Sequence, residues 1–161
     1  MSLPGNSISI GLTIRYPPPG DPENFHWLMW LVAADTKNGI CVHANNNSGA
    51  FKFEAKPWNA ATSQSLSALV QIGTLNKHTI ETLTALLKAI PMASPDEDRG
   101  AVFNCRIWVR EAVRVLERNG VLKCDSVDAL QAELLQYAQE NRENVEQGKG
   151  KATFHVSKVS R

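Results

Sequence analysis

Phe25-His26-Trp27-Leu28-Met29-Trp30-Leu31-Val32-Ala33 is the stretch on which the fold turns. It is apolar almost throughout and rich in aromatics, the pattern of a central strand covered on both faces. Upstream, Ile8, Ile10, Leu12, Ile14 and Tyr16 alternate with small or polar residues, which predicts a half-buried strand. Pro17-Pro18-Pro19-Gly20-Asp21-Pro22 then breaks any regular pattern and forms a loop. Downstream, Asp35-Thr36-Lys37-Asn38-Gly39 supplies turn residues, and residues 40–44 form the returning strand of a hairpin. Residues 45–49 make a further turn and 50–54 a short strand, while 65–72 reads equally as strand or short helix.

The period becomes helical over residues 77–90, where Ile80, Leu83, Leu87 and Ile90 share a face and Pro91 ends the run. Residues 94–100 are acidic and expected to be mobile, and their place just before Cys105 suits a lid. A second helix runs from about Cys105 to Arg118 on a stripe of Trp108, Val109, Ala112, Val113 and Leu116, and Asn119-Gly120 stops it. Asp125 or Ser126 caps a third helix with Val127, Leu130, Leu134 and Tyr137 inward, and Phe154-His155-Val156 forms a last short strand or a loose tail. The expectation is one α+β domain over residues 1–161: a small antiparallel sheet packed against the Cys105 helix and one or two others. Its core spans about 7–118, and a C-terminal helix and tail span about 125–161.

Composition narrows the function. A chain of 161 residues buries a core without disulfides. A net charge of +1 gives no footing for nucleic acid. No apolar run approaches the roughly 20 residues that span a bilayer, and the first residues lack the pattern of a signal peptide. Three cysteines, Cys41, Cys105 and Cys124, are an odd number without close pairing, which fits a reducing, cytoplasmic setting. No CxxC or HExxH motif supports a metal, and no cofactor is called for.

Cys105 is the candidate nucleophile. A helix N-terminus carries roughly half a positive charge and favours a thiolate, and a neighbouring imidazolium would add to this. His26, within the central strand, is the candidate base, and His43 on the next strand is placed to orient it. The Cys105 N–H would be one donor to an oxyanion. Tyr16 is a candidate second donor, and Asn104 and Trp27 are placed beside the cleft. Cys41 is read as structural, and Trp58 after Pro57 as a residue able to line a cleft.

His26-Trp27, Val42-His43 and Asn104-Cys105 follow one another in the order seen in circularly permuted papain-like thiol enzymes. The chain resembles their lecithin:retinol acyltransferase-like branch, with a His-Trp strand, a Val-His strand and an Asn-Cys helix start. From Ile72-Gly73-Thr74 through Leu87 to Asn104-Cys105 it also resembles the PPPDE deSUMOylating isopeptidase branch. Arg106-Ile107-Trp108 departs from the residues usual after the cysteine. The resemblance covers about residues 7–118. It implies a permuted papain-like fold and hydrolysis of an amide, isopeptide or ester bond through an acyl-enzyme on Cys105. The substrate is a small molecule, peptide or protein acyl group. Acyl transfer by the same pair is the enzymatic alternative, and a non-catalytic binding module the other.

Overall fold

The computed structural model describes residues 3–15, 21, 23–35 and 39–161. It has mixed α+β architecture: a six-stranded sheet in the order β4-β3-β2-β1-β5-β6, with three helices. The strands are β1 (Ser7–Ile14), β2 (Phe25–Val32), β3 (Gly39–Asn45), β4 (Lys52–Trp58), β5 (Leu66–Thr74) and β6 (Thr153–Val156). The helices are α1 (Ile80–Lys88), α2 (Cys105–Arg118) and α3 (Val127–Glu146). All pairings are antiparallel except β5–β6, which is parallel, so the expected antiparallel sheet gains a parallel edge. The 65–72 ambiguity resolves as strand.

β1 is buried along its whole length rather than half-buried, because it lies between β2 and β5 and both its faces are covered. One face, with Ile8, Ile10 and Leu12, joins the main core beneath α2 and α3. On the other, small residues leave room for a second apolar cluster that includes Leu28, Trp30, Cys41 and Leu66. Gly11 sits opposite Leu28 in the register, and a Cβ there would come within 3.0 Å of both Leu28 and Leu66. Gly39 has a similar cause: any Cβ would fall inside the indole of Trp30. Trp58 closes this cluster rather than lining a cleft. It meets Trp30 edge-on, and its carbonyl accepts from Trp30 Nε1 at 3.1 Å.

Each helix begins on a side-chain cap. Thr79, Asn104 and Ser126 accept from the N–H of Thr82, Ile107 and Ala129 respectively. The acidic segment before α2 is anchored, not loose. Asp98 is 5 % exposed and receives hydrogen bonds from Arg110 and Arg114, one turn apart on α2, at 2.8–3.1 Å. These guanidinium groups hold its carboxyl down at about 2 against burial. α3, outside the span of the family resemblance, packs across β5 and β1 on the main-core face of the sheet. Arg142 donates to the Asp21 carbonyl at 2.9 Å and lies 4.9 Å over the Phe25 ring, so α3 braces the start of β2. Among the described residues no helix is long and apolar enough to cross a membrane.

Candidate active site

The start of α2 is set by Asn104. Its extended backbone stops the helix upstream, and its side-chain oxygen accepts the Ile107 N–H at 3.0 Å. Cys105 is therefore the first helical residue, with its N–H among those a helix leaves unpaired. The Asn104 carbonyl group is thus committed to the cap, although the residue also lines the cleft beside the thiol.

Cys105 Sγ is buried and receives two donors, the Arg15 guanidinium and the Trp27 main-chain N–H, each at 3.5 Å. The second contact has a cause in the sheet. Paired residues of β2 and β3 run only from Leu31–Ile40 to Met29–Val42, whereas β2 continues to Phe25. Beyond the last pair the Trp27 N–H turns to the sulfur. The Trp27 ring is 2 % exposed, and its residues of contact lie in the main core, so Trp27 serves this site through its backbone. The sulfur thus stands one residue along the chain from His26.

Alternation along β2 sets Phe25, Trp27 and Met29 toward the main core and His26 with Leu28 and Trp30 toward the opposite face. There His26 Nε2 lies 2.6 Å from His43 Nδ1, and His43 Nε2 lies 2.7 Å from Glu54 Oε1. The β3–β4 register pairs His43 directly with Glu54. Glu54, which the sequence reading missed, is a third member of this chain. A carboxylate only accepts, so His43 Nε2 carries the hydrogen it shares with Glu54. Neutral His43 then accepts at Nδ1, so His26 donates from Nε2 and keeps the lone pair on Nδ1. His26 is brought to His43 as expected; its Nε2 is not turned to the thiol, and no hydrogen bond joins the two among the described residues.

Burial, reinforced by His43, Arg15 and Lys56, lowers the His26 pKa to about 3. Burial also lowers that of His43, against the opposing bond and charge of Glu54. The bond to His43 in turn lowers the Glu54 carboxyl. The resting chain is therefore two neutral imidazoles ending on a carboxylate whose side chain is 41 % exposed. This departs from the imidazolium envisaged beside the thiol, because two low-dielectric rings cannot both hold charge next to two cations. The positive group at the sulfur is Arg15 instead. Cys41 and Cys124 behave as ordinary buried thiols, burial raising Cys41 to about 12 and Cys124 upward. All three cysteines are free.

Two clefts flank the site and share Arg15. One, of about 330 Å³, opens on Cys105 and is lined by Asn104, Arg106 and the residues that lead into β2. The other, of about 450 Å³, opens on His26 and His43 with Asn45, Phe51 and Lys56. Tyr16, the candidate oxyanion donor, lies outside the described residues. Among those described, no group of three or more His, Cys, Asp or Glu is arranged to hold a metal ion.

A mixed α+β fold carrying a helix-start thiol beside a His–His–Glu chain defines the class of this site. Residues 13–123 match the model of DUF6540, a family of unknown function, and the chain belongs to that family. The matched span contains His26, His43, Glu54, Asn104 and Cys105. No curated protein and no solved structure matches the chain.

Proposed function

We propose that this protein is a cysteine hydrolase that cleaves an amide, isopeptide or ester bond through an acyl-enzyme on Cys105, on a permuted papain-like fold. One observation carries the reading: a thiol at the first position of a capped helix, held by Arg15 and the Trp27 N–H, next along β2 to the head of a His26–His43–Glu54 chain.

The chemistry follows from the protonation pattern. Neutral His26 offers the Nδ1 lone pair, which takes the thiol proton once the ring and the sulfur come within hydrogen-bond reach in the filled cleft. Sγ then bonds the carbonyl carbon. The charge that develops on the carbonyl oxygen is met by the Cys105 N–H at the helix start. When the intermediate collapses, the C–N or C–O bond breaks and His26 returns its proton to the departing amine or alcohol. Water adds to the thioester with its proton passing to His26, and release of the acid returns that proton to sulfur. During each step the charge on His26 is offset through His43 by Glu54, so Glu54 is a positioning residue. An amine or alcohol in place of water gives acyl transfer by the same atoms.

The test is the rate of iodoacetamide labelling of Cys105 from pH 4 to 10, in wild type and His26→Ala, alongside a panel of small amides and esters. Faster labelling in wild type than in His26→Ala at the same pH is expected, with turnover abolished in Cys105→Ala. Equal labelling rates in the two proteins across the pH range and no turnover would leave a binding groove in place of an enzyme.

A further inference from the structure

The cleft at Cys105 is walled by four charged side chains of both signs: Arg15 and Arg106 on one side of the ledger, Asp21 and Glu23 on the other. None of the four is ion-paired among the described residues. Asp21 and Glu23 are exposed at the cleft mouth and so remain available to a ligand, whereas the largely buried Asp98, Arg110 and Arg114 pair with one another. Arg106 adds an independent sign. Its Nε is buried with no hydrogen-bond partner, a costly condition for a charged group that an incoming acceptor would relieve. The carboxylate side is held in position: Asp21 Oδ1 accepts the Glu23 N–H at 2.9 Å, and its carbonyl is clamped by Arg142 of α3. The two aromatic residues of the lining, Phe25 and Trp27, are each 2 % exposed and present almost no apolar surface.

We infer that the Cys105 cleft takes a zwitterionic, amino-acid-like ligand, with its carboxylate toward Arg106 and Arg15 and its ammonium toward Asp21 and Glu23. This rests on the cysteine hydrolase reading and narrows it. The substrate class is a dipeptide-sized amide with free termini, not a long-chain acyl lipid. A cavity of about 330 Å³ lies at the small end of ligand pockets, and among the described residues its lining is predominantly polar and charged.

Protection of Cys105 from iodoacetamide tests the inference without requiring turnover. The probes are glycylglycine, its N-acetyl derivative and its C-terminal amide, each titrated against the labelling rate. Free glycylglycine is expected to protect at concentrations at least tenfold lower than either capped form. The Asp21→Asn, Glu23→Gln double variant should erase its advantage over the N-acetyl form, and Arg106→Gln its advantage over the amide. Asn at position 21 keeps the acceptor for the Glu23 N–H, so the loop is preserved. Equal protection by all three probes, or by none, overturns the inference. A thiol that labels equally fast in wild type and His26→Ala yet is still protected selectively by glycylglycine would instead refute the hydrolase reading and leave the ligand class standing.

Discussion

Two clusters of titratable groups sit within this fold and are handled in opposite ways. In the segment before α2, the Asp98 side chain is 5 % exposed yet charged, because two guanidinium groups of α2 converge on it. On the outer face of the sheet, half-buried His26 and buried His43 are neutral, and Glu54, their carboxylate partner among the described residues, faces water. The first arrangement locks a segment to a helix. The second keeps proton positions undecided until a charge arrives. Structure uses paired charge, and the candidate chemistry uses charge withheld.

Removing Asp98 should cost the most. Asp98→Ala removes the partner that two largely buried guanidinium groups share, leaving Arg110 with Asp128 and Arg114 with Glu111, and is expected to destabilise by about 3 kcal/mol, read from urea denaturation. A loss under 1 kcal/mol would mean the cluster is solvated.

Acid should separate the two clusters. His26 is lowered from 6.5 to about 3, so between those values the unfolded chain binds more protons than the folded one. Stability therefore falls as pH drops from 6.5 toward 3, by at most about 1.4 kcal/mol per pH unit for each such group. Asp98, lowered from 3.8 to about 2, contributes stability above pH 4 that is lost as pH falls through 2. Denaturant midpoints across pH should thus show two limbs. His26→Gln should flatten the upper one and leave the lower; an unchanged upper limb would place the titrating group elsewhere.

Smaller effects sharpen the contrast. Asn104→Ala removes the α2 cap and should cost about 1 kcal/mol, and slow alkylation of Cys105 as the first turn loosens. Glu54→Gln should leave stability within about 0.5 kcal/mol, as a surface change does. It should nevertheless lower kcat/KM at least tenfold and shift its acid limb, whereas a purely structural role would move neither.

What could be read in advance follows the range of the interactions. The α2 boundary at Cys105 was legible because a cap and a helical period lie side by side in sequence. The β2 strand was legible from its own nine residues. Glu54 was not, because its pairing with His43 depends on register across the turn at residues 46–49. Arg15 carries no local signal: it follows β1 and meets a sulfur 90 positions away. The acidic segment at 94–100 was misread from composition alone, though Arg110 and Arg114, four apart on one helix face, were the available clue. The full burial of β1 was hidden because Ser7, Ser9, Gly11 and Thr13 look like a wet face and are instead small residues beneath Leu28 and Leu66.

The interrupted β2–β3 ladder has a consequence for how the molecule is assembled. His26, His43 and Glu54 lie within one meander, whose strands meet through short loops, whereas the sulfur joins Trp27 across 78 positions of chain. Local pairings form early and distant ones late, since loop closure must precede their reward. A partly folded chain that has formed the meander but not docked α2 would hold its imidazoles in order and have no thiol beside them. Time-resolved protection of Cys105 would then report the last long-range closure of the fold, and the nucleophile would be withheld until the rest of the chain is in place.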